Sequence, residues 1–222
     1  MGVNIDNQIN NIKCIIFDCD GVLVDSEHIS CHILLQMLKE LGLEITTEQF
    51  IKEFNGRSLA ENIRQIETIF GNPLPLSFEN EFRQKTYEAF KTDLKPVKGI
   101  LEFINSLTIS YCVASSGPLE KIHLNLTTTG LIDKFQNRIF SSYQINSWKP
   151  EPGLFLYAAQ KMGFSADECL VIEDSKAGVL AGVRGGFKVL GLSNNHNEKE
   201  LYESGALIFH NFDEISRIIK IN

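Results

Sequence analysis

Short apolar runs alternate with longer amphipathic stretches along most of this chain. From residue 94 onward, ISYCVAS (109–115), CLVIED (169–174), FKVLGL (187–192) and ALIFH (206–210) predict strands. The segments 99–107, 117–129, 152–162, 175–183 and 212–220 between them predict helices. IKCIIFD (12–18) is continuously apolar instead of alternating, as expected of a strand covered on both faces. Strand and helix in strict turn predict an α/β fold, a Rossmann-like parallel sheet with helices on both sides.

Residues 27–93 break that pattern. They hold no strand-like run. SEHISCHILLQMLKELGL has helical periodicity and stops at a glycine, and TTEQFIKEF pairs Thr46 with Gln49 as a capping box. SLAENIRQIETIF and SFENEFRQKTYEAFK are also amphipathic, with GNPLPL between them. The expectation is a core domain of residues 1–26 and 94–222, interrupted by a helical domain of residues 27–93, with hinges near 25–29 and 92–96.

Composition narrows the class. The formal net charge of −7 over 222 residues, with no Lys/Arg tract, argues against nucleic acid. No apolar run has the length of a membrane span, and MGVNIDNQINN lacks the basic-then-apolar pattern of a secretory signal. Cys14, Cys112 and Cys169 sit inside apolar runs, the cysteine count is odd, and no CxxC occurs. A reduced, cytoplasmic protein is expected.

The polar residues that punctuate the strand ends carry the chemistry. Asp18 and Asp20 close the first apolar run, with Gly21 allowing a turn that brings both carboxylates over the C-terminal edge of the sheet, where open α/β sheets bind ligands. Ser115, Ser116 and Gly117 end the second and open a helix at Pro118, a setting that suits an anion. Lys149 precedes a proline in SWKPEPGLF. Glu173 and Asp174 end another strand before Ser175, a helix cap, and adjacent acids there repel unless a cation or a proton lies between them. Oxygen-only ligands suit Mg²⁺. Taken singly, each motif also has an ordinary reading: a solvated loop, a capping serine, a loop lysine.

Acid pair, serine, lysine, acid pair, each where a strand ends: over the whole chain this order resembles the haloacid dehalogenase-like phosphohydrolase superfamily. DCDGVLVDS is similar to its first motif, Ser115 to its second, Lys149 in KPEP to its third and EDS (173–175) to its fourth. The helical insertion looks like the family's small cap. Within the superfamily the chain resembles the β-phosphoglucomutase-like branch, and FDCDG, VDSE, SSGP and SWKPEPGLF look most like bacterial 6-phosphogluconate and related sugar-phosphate phosphatases. The resemblance implies Asp18 as the nucleophile that takes the phosphoryl group, and Asp20 as the acid that protonates the leaving alcohol and then activates water. It implies Mg²⁺ held by Asp18, the Asp20 carbonyl and Asp174, with Glu173 completing or orienting that shell. Ser115, Ser116, Gly117 and Lys149 would hold phosphoryl oxygens. In the cap, Arg57 of FNGRSLAEN is the candidate for substrate recognition, equally readable as a solvated loop arginine. The expected partner is a small phosphorylated metabolite, with no nucleic acid or membrane, and the expected state a monomer or weak dimer.

Four other readings compete, and the first, a catalytically silent binding module, has nothing to support it because every motif position is filled. A phospho-receiver uses similar groups, but its acid pair precedes the phosphorylated Asp and it has no cap. A dehalogenase needs neither a second acid nor a metal. A β-phosphoglucomutase must keep water from the phosphoenzyme. The His and Arg used for that by the mutases that resemble this chain fall, by spacing, at Ser30 and near Leu59 here. Hydrolysis is therefore expected.

Overall fold

A computed structural model describes residues 11–54, 59–194 and 197–218. Six strands form one sheet: β1 (Cys14–Phe17), β2 (Ser110–Ser115), β3 (Ile139–Ser141), β4 (Cys169–Glu173), β5 (Lys188–Leu192) and β6 (Leu207–Phe209). Their order is β3-β2-β1-β4-β5-β6, and every pairing is parallel. The Rossmann-like α/β expectation holds. The chain steps outward from β1 to β3 and then returns to the other side of β1 for β4. The strand order thus reverses at β1, and the carboxyl ends at such a switch point form the crevice where α/β sheets bind ligands.

The described residues fall into two compact units, those of 11–25 with 95–218, and those of 26–94. The first holds the sheet and the helices α5 (Ile100–Ser106), α6 (Leu119–Thr128), α7 (Gly153–Met162), α8 (Lys176–Arg184), α9 (Glu198–Glu203) and α10 (Phe212–Ile218). Successive strand residues point to opposite faces, and β1 shows the consequence. Cys14 and Ile16 pack on one face with Leu154, Phe155 and Ala158 of α7 and Val179 and Ala181 of α8. Phe17, on the other face, meets the rings of Phe103, Tyr111 and Phe135 edge-on. Both faces are covered, which explains why β1 reads as an unbroken apolar run. All five cysteines are free thiols, and four are buried.

The second unit holds α1 (Glu27–Glu40), α2 (Thr47–Phe54), α3 (Leu59–Phe70) and α4 (Phe78–Asp93). The capping box expected at Thr46 is present: the Gln49 N–H donates to the Thr46 hydroxyl, and the Thr46 N–H to the Gln49 side chain. Ile33, Leu34, Met37 and Leu38 of α1 and Phe82 and Phe90 of α4 are buried, and Lys85 of α4 pairs with Glu40 of α1 at the surface. Asn55, Gly56 and Arg57 lie outside the described residues, and with them the proposed recognition arginine. No helix among the described residues is long and apolar enough to cross a membrane.

Candidate active site

Because the sheet is wholly parallel, the carboxyl ends of all its strands share one edge. Asp18 follows β1 there. Its backbone N–H donates to the Ile172 carbonyl at 2.9 Å, extending the β1–β4 ladder and setting Asp18 beside Glu173. Gly21, two residues beyond the Cys19 thiol, has φ +77°, a conformation that favours glycine. A Cβ at Gly21 would collide with the Asp174 carboxylate. The turn after β1 and the end of β4 therefore approach each other closely because position 21 has no side chain.

Lys149 reaches this edge from the turn before α7, where its peptide bond to Pro150 is cis. Its ammonium donates to Asp18 Oδ1 and to Glu173 Oε1, each at 2.5 Å, and its side chain is only 6% exposed. The ammonium also lies 4.9 Å from the centre of the buried Phe155 ring, a cation–π contact. Burial works against the Lys149 charge, but Asp18 and Glu173 more than offset it and hold its pKa above the ordinary lysine range. Burial pushes the Asp18 carboxyl up to about 7, against the opposing pull of Lys149 and with Glu173 adding to the rise.

Glu173 is fully buried. Its second oxygen, Oε2, accepts from the N–H groups of Asp174 and Ser175 and from the Ser175 hydroxyl, at 2.9–3.0 Å. With Lys149 on Oε1, both oxygens are engaged, which suits a group that orients its neighbours more than one that gives its lone pairs to a metal. Ser175 also caps α8 through the Gly178 N–H, as its position in the sequence suggests. Gly178 forms the floor of this seat, since a Cβ there would occupy the space of the Glu173 carboxyl. Gly182, one turn on, instead faces Val189 and Val171. Gly178→Ala is therefore expected to destabilise the chain. Helix propensity alone would favour alanine by about 1 kcal/mol, but overpacking costs about 1–3 kcal/mol, and here it displaces a buried carboxylate. A thermal melt checks the sign: a Tm at or above that of the parent would show that the seat yields without cost.

Asp18, Glu173 and Asp174 each bring a carboxylate oxygen within 4.8 Å of the others. The donor set is all oxygen, as a hard dication requires. Asp18 and Glu173 already share Lys149, so the third carboxylate adds repulsion that a cation would relieve. The residues thus fit Mg²⁺. Asp20 stands apart from that trio and its side chain turns toward α6, where Oδ2 accepts from Lys121 at 2.7 Å and Oδ1 from Asn125 at 3.2 Å. The Ser115 hydroxyl, almost fully buried, accepts from the Gly117 N–H at 3.1 Å and shapes the turn that carries Ser116 and Gly117. The Ser141 hydroxyl donates to the Gly117 carbonyl and ties that turn to the end of β3.

Asp18, Asp20, Ser115, Lys149, Glu173 and Asp174 all belong to the sheet-bearing unit. Three more polar residues join them without having been singled out in the sequence. Lys121 and Asn125 bind Asp20, and Asn197 donates to the Asp174 carbonyl at 2.7 Å. The first two carried a legible signal: a polar i, i+4 pair on a helix whose neighbours Ile122 and Leu126 are buried. Asn197, after β5, offered none.

A family model for haloacid dehalogenase-like hydrolases matches residues 15–192. The 6-phosphogluconate phosphatase of Escherichia coli (strain K12) is 28% identical over 96% of both chains. A phosphorylated carbohydrates phosphatase of Thermotoga maritima is 26% identical over 94% of this chain and 99% of its own. Among solved structures, a conserved haloacid dehalogenase-like protein of unknown function from Agrobacterium tumefaciens superposes with a TM-score of 0.86 at 28% identity, covering 93% of this chain and 97% of that one. With the parallel sheet and four filled motifs at one edge, these similarities show that the chain belongs to the haloacid dehalogenase-like hydrolases.

Proposed function

We propose that this hydrolase is a Mg²⁺-dependent phosphatase of small phosphorylated metabolites, acting on sugar or sugar-acid phosphates through an aspartyl phosphate on Asp18. The observation that carries this reading is the Lys149 ammonium bridging Asp18 and Glu173 with Asp174 alongside. Its named relatives are phosphatases, and 6-phosphogluconate is the first substrate to try by similarity.

In the first step Asp18 attacks phosphorus. The bond from phosphorus to the leaving oxygen breaks, its electron pair stays on that oxygen, and Asp20 supplies the proton that makes it an alcohol. In the second step water attacks phosphorus, Asp20 takes the water proton, and the bond from Asp18 to phosphorus breaks to release phosphate. Lys149 and the donors of the 115–117 turn hold phosphoryl oxygens and stabilise charge as it develops. Asp18, Asp174 and the Asp20 carbonyl would hold Mg²⁺, with Glu173 fixing Lys149 and the start of α8. When bound, the ion would offset carboxylate charge and let an acidic site accept an anionic substrate.

The test separates hydrolysis from phosphoryl transfer. The chain is incubated with Mg²⁺ and a panel of sugar, sugar-acid and polyol monophosphates, and separately with β-glucose 1-phosphate and a bisphosphate primer. Release of inorganic phosphate with no isomerised sugar is expected. Accumulation of glucose 6-phosphate without free phosphate would overturn the phosphatase in favour of a mutase.

A further inference from the structure

We propose that Lys121 and Asn125 of α6 are positioning residues that aim the Asp20 carboxyl at the leaving group; this rests on the role given to Asp20 above. The two lie four residues apart, on one face of the helix. Each takes a different oxygen of Asp20: Lys121 donates to Oδ2 at 2.7 Å and Asn125 to Oδ1 at 3.2 Å.

The physical need for such a fork lies in the side chain it grips. The terminal torsion of an aspartate is broad and nearly two-fold, so its carboxyl plane is poorly defined by its own covalent structure. Proton transfer nevertheless requires the acid oxygen within hydrogen-bond reach of the leaving oxygen. Two donors on two oxygens define that plane. The donors are themselves anchored. Asn125 is 1% exposed, between the buried Ile122 and Leu126. Lys121 rests on the turn that follows β2, where a Cβ at Gly117 would touch its stem. The turn that carries Ser115 and the helix that orients Asp20 are therefore one continuous element.

The test exploits leaving-group chemistry. An alkyl phosphate needs a proton on its departing oxygen, whereas p-nitrophenolate leaves without one. A residue that acts through the acid matters for the first and little for the second. In kcat/KM, which reports formation of the phosphoenzyme, Lys121→Met is expected to lose about 10- to 100-fold on the best alkyl monophosphate of the panel. On p-nitrophenyl phosphate it should lose less than about threefold, since little general-acid assistance is forfeited there. Lys121→Arg should recover most of the alkyl activity. Asn125→Leu should show the same selective loss. It removes the donor to Asp20 Oδ1 without orphaning any donor, because among the described residues Asn125 Oδ1 accepts no hydrogen bond. It therefore serves as the second variant should Lys121→Met fail to fold.

Equal losses on both substrates, or no loss in either variant, would overturn the inference. Asp20→Asn separates this from failure of the underlying reading. If Asp20→Asn is selective for alkyl phosphates and the α6 variants are not, only the positioning role falls. If Asp20→Asn retains full alkyl activity, the assignment of Asp20 as the acid falls, and the positioning role with it.

Discussion

Asp18→Asn is expected to lower turnover by at least about a thousandfold, the scale seen when a nucleophile that acts as part of a unit is removed, while the folded chain stays as stable as the parent or gains a few degrees in Tm. The amide has nearly the shape of the carboxylate but is a far poorer nucleophile, so no aspartyl phosphate can form. The stability expectation follows from the charges. Asp18 is buried, and burial raises its pKa against the pull of Lys149. Carboxylate oxygens of Glu173 and Asp174 lie within 4.8 Å, and the charge of Glu173 adds to the rise. Neutralising one carboxylate relieves that repulsion, and Lys149 keeps Glu173 as partner. Two measurements are needed: phosphate release on the best substrate, and thermal melting without metal. Near-parental phosphate release would remove Asp18 from the nucleophile role, and loss of activity together with a large drop in Tm would make it a structural residue.

Chelation should silence the enzyme, and the two acids that end β4 should fail in different ways. Asp174→Ala is expected to raise the Mg²⁺ concentration for half-maximal activity by about 10-fold or more, on the scale by which groups that support a bound metal alter its affinity. Its metal-free melting temperature should fall less than that of Glu173→Ala. Glu173→Ala should instead be a folding defect. It leaves a cavity at a fully buried position, strips three donors of their acceptor and takes one of two carboxylates from the buried Lys149. A buried donor left without its acceptor costs about 1–3 kcal/mol, and here three donors lose theirs. Melting with and without Mg²⁺ reads the difference without relying on turnover. Binding to the native state alone raises Tm, so the parent should gain stability on adding Mg²⁺ and Asp174→Ala should lose most of that gain. Full activity in chelator, or an undiminished Mg²⁺ shift in Asp174→Ala, would show that these carboxylates do not hold the metal. Ca²⁺ should inhibit, because its larger and looser coordination disturbs the in-line geometry.

Local pattern was enough for much of this architecture. An unbroken apolar run announces a strand buried on both faces, which is why IKCIIFD (12–18) and CLVIED (169–174) correspond to β1 and β4. Periodicity and capping chemistry are also local, so Thr46 and Gln49 at the start of α2, and Ser175 at the start of α8, were readable as caps. Two short elements escaped, although the equally short β6 was readable from the apolar run ALIFH (206–210). The three-residue strand β3 and the six-residue helix α9 were not anticipated, since their form depends on what they pair or pack against.

For the site, the sequence alone determined which residue types stand at the strand ends, and a parallel sheet then obliges those ends to share an edge. Which side chains bind one another was decided only in three dimensions. Glu173 and Asp174 are neighbours in sequence, yet one is locked by Lys149 and the backbone of α8 while the other faces the bare Cα of Gly21. Asp18 and Asp20 form a similar pair, yet Asp18 meets Lys149 and Asp20 meets Lys121 and Asn125, about a hundred residues further along the chain. The physical reason is that periodicity reports which face of an element is buried, whereas a charge is compensated by whatever the crossovers between strands bring beside it.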